Sequence, residues 1–208
     1  MSEPEQGPEQ PQLYLLTPPV FELSTFPDLL AAVLDAHEVA CIRLALATFD
    51  EDRIARAADA CRAVAHARDV AIVVADHSAL AERLGLDGVH LTSAKKSVRD
   101  ARKALGPDAI VGSFCGTSRH DGLSAGEAGA DYVAFGPVSG VGDEGVATDD
   151  LFQWWSDVVE VPVVAEGGLS VDTIARLAPM TDFFGIGEEI WDSEDPVNAL
   201  AALTAPLT

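Results

Sequence analysis

"ACIRLALATFDEDRIARAADACRAVAHARDVAIVVAD" occupies residues 40–76. Two short apolar runs, "ACIRLAL" (40–46) and "VAIVVAD" (70–76), flank a segment with a different period. In that segment Ile54, Ala57, Ala58, Cys61, Val64 and Ala65 recur at three- and four-residue steps, which draws one apolar stripe along a helix. Asp50 or Asp52 is placed to cap its start. The flanking runs are apolar almost without interruption, as expected of strands buried on both faces of a parallel sheet. The stretch therefore reads as a strand–helix–strand unit.

The unit repeats in both directions. Further strands are expected at "QLYLLTP" (12–18), "GVHLT" (88–92), "AIVGSF" (109–114), "YVAFGPV" (132–138), "PVVAEGG" (162–168) and "FFGIGEE" (183–189). Helical patterns lie between them, among them "HSALAERLG", "KKSVRDARKALG", "SAGEAGA" and "DDLFQWWSDVV", and "PVNALAALT" supplies an eighth helix. Eight such units without a linker predict a single-domain α/β fold, a (β/α)8 TIM barrel, over residues 12–208. A doubly wound sheet is the alternative, and it would usually have fewer strands or one visible switch point. In "FQWWSDVV", Phe152, Trp155 and Val159 share one helical face, which suits packing or a subunit interface; a homo-oligomer stays open.

Composition narrows the setting. Apolar residues make up 48% of the 208, enough for a substantial core. No apolar run approaches the roughly 18–20 residues that span a bilayer. The opening "MSEPEQGPEQPQ" lacks the basic and apolar regions of a secretory signal, so residues 1–11 are expected to form a disordered acidic leader on a cytoplasmic protein. The formal charge is −21, and the lysines are Lys95, Lys96 and Lys103. Such a surface repels nucleic acid and anionic membranes and leaves a small molecule as the expected partner. Both a salt-adapted surface and a preference for cationic ligands fit that charge. Cys41, Cys61 and Cys115 show no CxxC spacing and read as reduced thiols.

In a barrel of this kind the site forms at the carboxyl ends of the strands. That rule selects Arg43, Asp76, His90, Thr92, Ser113, Gly136, Glu166, Gly167, Gly168, Gly187 and Glu188. "AEGGLS" (165–170) and "GIGEE" (185–189) have the glycine-rich form that lets backbone N–H groups approach a phosphate. Glu166 is a candidate general acid or base, or one half of a structural ion pair. His90 suits the barrel interior or pocket wall as well as proton transfer. His120 and Cys115 lie near the same mouth without an evident partner.

"LYLLTPP", "GLDGVHL", "GEAGADYVAFGPV", "VPVVAEGGL" and "FFGIGEEI", in this order and spacing, resemble the thiamine phosphate synthase family and its thiazole tautomerase relatives across residues 12–203. The resemblance implies a barrel that joins an aminomethylpyrimidine pyrophosphate to a thiazole phosphate with Mg²⁺, making thiamine phosphate and pyrophosphate. It makes Asp76 a catalytic metal ligand, Arg43 a residue that orients the pyrimidine or pyrophosphate, and the Gly167, Gly168 and Gly187 amides the receivers of the thiazole phosphate, while the strand-end rule adds Glu166 as a catalytic candidate and His90, Ser113, Gly136 and Glu188 as substrate-binding candidates.

The chain also departs from that pattern. Arg43 falls where the family carries glutamine, and the family's following arginine and lysine fall on Ala45 and Ala47. The second metal carboxylate falls roughly on Lys95, and the residue before Gly-Gly, apolar in the family, is Glu166. The pyrophosphate loop, "FGPVSGVGDEGV" (135–146), brings Asp143 and Glu144 and no lysine. Two rival expectations follow: a thiazole tautomerase-like proton transfer on Glu166 or His120, and a non-catalytic barrel with a thiamine-related or cationic ligand.

Overall fold

The computed structural model describes residues 10–94, 96–140 and 145–207. Residues 1–9 of the expected leader, together with Lys95, Asp143 and Glu144, lie outside the described residues. The chain alternates strand and helix in this order: β1 Gln12–Leu16, α1 Phe26–Ala36, β2 Cys41–Leu44, α2 Glu51–His66, β3 Ala71–Ala75, α3 Ser78–Leu84, β4 Gly88–Leu91, α4 Val98–Leu105. It continues with β5 Ile110–Phe114, α5 Arg119–Glu127, β6 Tyr132–Phe135, α6 Asp149–Val158, β7 Val163–Glu166, α7 Val171–Leu177, β8 Phe183–Ile186, α8 Glu188–Trp191 and α9 Pro196–Leu203. All neighbouring strands pair in parallel, and β8 pairs with β1 to close the barrel.

Local sequence explains the boundaries. Asp50 accepts hydrogen bonds from the N–H groups of Asp52 and Arg53 and so starts α2. Of the expected stripe, Ile54, Ala57, Ala58, Cys61 and Ala65 are buried against the sheet and Val64 is half-buried. Ser118 caps α5, which begins earlier than the small-residue run at 124–130 suggested. Strand β8 ends at Ile186, because the residues after it turn at once into the short α8. "PVNALAALT" thus belongs to the ninth helix.

Strand alternation divides the core in two. Outward residues such as Ile42, Val89, Val111, Val133 and Phe184 pack under the helices. Inward residues, among them Tyr14, Cys41, Val73, Tyr132 and Val164, fill the barrel. Two large rings inside a narrow barrel need space opposite them. Gly112 gives it, since a Cβ there would lie 2.0 Å from the Tyr132 ring. Phe152 and Trp155 are buried against Phe135, so the aromatic face of α6 is a packing face. All three cysteines are free and buried, and burial pushes the thiols up to about 12 for Cys41 and Cys61 and about 11 for Cys115. Among the described residues no helix is long and apolar enough to cross a membrane.

Candidate active site

Arg43, His90 and Glu166 end alternate inward positions on β2, β4 and β7, and the barrel brings them together. The guanidinium donates from Nη2 to Glu166 Oε1 at 3.0 Å and from Nη1 to His90 Nε2 at 2.6 Å. An arginine has no acceptor to offer, so Nε2 of His90 must accept and its proton sits on Nδ1. That N–H donates to the Tyr132 hydroxyl at 2.9 Å, which meets the Tyr14 hydroxyl at 2.6 Å. Burial, with the Arg43 charge beside it, holds the imidazole well below its ordinary pKa, which keeps it neutral. Burial pushes Tyr14 and Tyr132 well up, so both stay hydroxyls. Desolvation works against the charge on Arg43, and the Glu166 carboxylate restores it. The site floor is therefore one compensated ion pair backed by a neutral hydrogen-bonded chain.

Asp76 stands at the end of β3 with a left-handed φ of 64°. Its carboxylate accepts from the Thr92 N–H at 2.9 Å and hydroxyl at 2.5 Å, and from Lys96 Nζ at 2.5 Å. Partial burial alone would raise its pKa, but Lys96 and Thr92 hold it below the usual carboxylate range. For a Mg²⁺ ion, which takes about six oxygens in near-octahedral order, this is a poor seat. One carboxylate oxygen is engaged by an ammonium, and no group of three or more His, Cys, Asp or Glu able to hold a metal occurs among the described residues. The described donors do not fit the ion.

The loops after β7 and β8 form a cradle of backbone amides. Gly167 and Gly168 take φ values of 83° and 75°, which side chains rarely adopt, and a Cβ on Gly168 would lie 2.3 Å from Ser139 Oγ. Two of its N–H groups already hold an anion. Glu189 accepts from the Leu169 N–H at 3.0 Å and from the Gly187 N–H at 2.9 Å. Gly136 approaches Glu166 so closely that a Cβ would sit 2.2 Å from its carbonyl oxygen. Glu188, singled out from the sequence, is exposed on the first turn of α8, and its neighbour makes the cradle contacts.

Ser113 stands apart from the residues gathered on the barrel floor. It shares its parity on β5 with outward Val111, and the residue lines a cleft between α4 and α5. Inward positions on that strand belong to Gly112 and Phe114. His120 is exposed on α5, and Cys115 is buried with its thiol on Ser113. Tyr14 and Tyr132 escaped the sequence reading, whereas Lys96 and Glu189 were visible there, as one of the lysines and within "GIGEE", but without these contacts. For Tyr132 a signal existed in the glycine opposite it on β5; for the others nothing in the spacing pointed to their contacts. A concavity of about 680 Å³ lies at the opposite end of the barrel, lined by Gln12 at the start of β1 and by Val39 and Val70 just before β2 and β3, far from this chemistry.

A closed parallel barrel with a buried ion pair between β2 and β7 and an amide cradle after its last two strands defines a (β/α)8 TIM barrel. Comparison with known proteins narrows the class. A family model described as thiamine monophosphate synthase matches residues 13–183. Thiamine-phosphate synthase of Rhodospirillum centenum is 42% identical over 185 residues, covering 87% of this chain and 89% of the relative. That of Hyphomonas neptunium is 35% identical and covers 99% of this chain and 97% of the relative. The solved thiamine phosphate pyrophosphorylase of Pyrococcus furiosus superposes with a TM-score of 0.81 at 22% identity, over 94% and 95% of the two chains, which speaks for the fold. The chain belongs to the thiamine monophosphate synthase family.

Proposed function

We propose that this protein joins an aminopyrimidine diphosphate to a thiazole phosphate, forming thiamine phosphate and pyrophosphate. In that reaction the carbon–oxygen bond to the diphosphate breaks and its electron pair leaves with pyrophosphate. The thiazole nitrogen lone pair forms the new bond to the same carbon. The observation that carries the reading is the amide cradle of Leu169 and Gly187, because it already receives an anion, the carboxylate of Glu189, with both donors in hydrogen-bond geometry. Family membership supports the same chemistry.

Each group has a role on this reading. The Gly167–Gly168 and Gly187 backbone receives the thiazole phosphate once Glu189 withdraws. Arg43 and Glu166 form a floor of zero net charge, so the pyrimidine carbon becomes cationic without facing an uncompensated guanidinium. Lys96, held by Asp76, lies at the mouth as a positive charge for the leaving diphosphate. Proton transfer in the manner of a thiazole tautomerase has less support: Glu166 is engaged by Arg43, and His120 is exposed. Phosphorylated substrates and buried free thiols favour a cytoplasmic setting.

The test mixes the purified protein with both substrates and follows pyrophosphate and thiamine phosphate, with and without Mg²⁺. Equal amounts of both products, each requiring both substrates, are expected. Pyrophosphate without thiamine phosphate, or neither product in either condition, would remove the proposal.

A further inference from the structure

The carboxylate of Glu166 is half used. Oε1 accepts from Arg43, while Oε2 is buried and has no hydrogen-bond partner among the described residues. An ionised oxygen withheld from both water and protein donors is costly, more so than a neutral one. The surroundings have been cleared for it. On β8 a Cβ at Gly185 would come within 2.9 Å of the Glu166 Cβ and 3.3 Å of Oε2; just after β6 one at Gly136 would come within 3.3 Å of Cγ. Neighbours on both sides thus give up their side chains beside one carboxylate. Arg43 holds it by a single contact, not a two-pronged one, so the second oxygen keeps its full acceptor capacity.

A guanidinium N–H beside a carboxylate oxygen makes a donor next to an acceptor on one wall. The edge of an aminopyrimidine is the complement: a ring nitrogen that accepts beside an exocyclic amine that donates. We infer that Glu166 is the specificity-determining residue for the pyrimidine, its free oxygen accepting from the exocyclic amine while Arg43 donates to the adjacent ring nitrogen. The inference rests on the proposed function for its substrate. A ring with an oxo group in place of the amine would set two acceptors against each other and leave the buried oxygen unpaired, an arrangement that sites of this kind reject strongly.

The experiment measures binding of the aminopyrimidine diphosphate and of its oxo analogue by titration calorimetry, on the wild-type protein and on Glu166→Gln. The wild type is expected to favour the amino ring by about 10- to 100-fold, the range of one hydrogen bond to a charged group. Glutamine can turn its amide to face either ring, so the variant should discriminate by less than about threefold. The wild-type comparison needs no variant and stands even if Glu166→Gln unfolds. Equal affinity of the wild type for both rings, or full discrimination by a folded Glu166→Gln, would overturn the inference while leaving thiamine phosphate formation intact. Binding of neither ring by the wild type would overturn both.

Discussion

Truncating Arg43 to alanine would strand the Glu166 carboxylate in a place where the residue is only 9% exposed. Breaking a buried pair from one side costs about 3–5 kcal/mol, whereas replacing both members with apolar groups is often neutral. Arg43→Ala should therefore lose about that much stability in denaturant unfolding, and Arg43→Leu/Glu166→Leu should recover most of it. His90 supplies a pH signature. Its folded pKa is depressed, so an unfolded chain takes up a proton that the folded one refuses. Stability from this group is full above the ordinary histidine value of about 6.5 and is lost as pH falls below it. Unfolding midpoints between neutral and mildly acid pH should show that slope, and His90→Gln should flatten it. The sequence offered Arg43 and Glu166 as two unrelated departures from a family pattern, one basic and one acidic. They are 123 positions apart and one salt bridge, a fact that only closure of the barrel supplies.

The paired loops after β7 and β8 behave as one element, because Glu189 on α8 bridges an amide from each. A phosphate must displace that carboxylate, and like charges do not share a cradle. Glu189→Ala should bind inorganic phosphate at least about tenfold more tightly than the wild type, the scale of one charge-assisted hydrogen bond. Calorimetric titration checks this, and unchanged affinity would mean that phosphate is held by other groups. Glycines marked this element in the sequence, since left-handed backbone after a barrel strand has few other tenants. Its occupant was less legible. Glu188 and Glu189 are adjacent and chemically alike, and the choice between them follows from the first turn of a four-residue helix, whose strand-like preamble gave no warning of it. Ser113 lies on the outward phase of β5, which its place at the strand end alone did not reveal. A strand position read one step out of phase faces the wrong side of the sheet.

Across the whole molecule, alternation of buried strands with striped helices made the architecture readable, since a parallel strand demands a crossover and a crossover helix demands an apolar stripe. The acidic surface is the feature that the fold does not need. With a formal charge of −21, self-repulsion opposes the compact state, and mobile ions reduce it. The thermal midpoint should rise as sodium chloride is raised from low to near-molar concentration, measured by calorimetry at constant pH. A flat response would show that local ion pairs, such as Arg68 with Asp35 and Arg102 with Asp131, already balance the surface.

The buried pair also bears on descent. A neutral interior at the ends of β2 and β7 and a charged one are each self-consistent, but any chain holding one member without the other carries a naked charge across the barrel. Single substitutions therefore meet a barrier from either side, and passage between the two interiors requires both changes to accumulate in one lineage before selection removes the first. Arg43 and Glu166 are in that sense one inherited character written at two places in the gene.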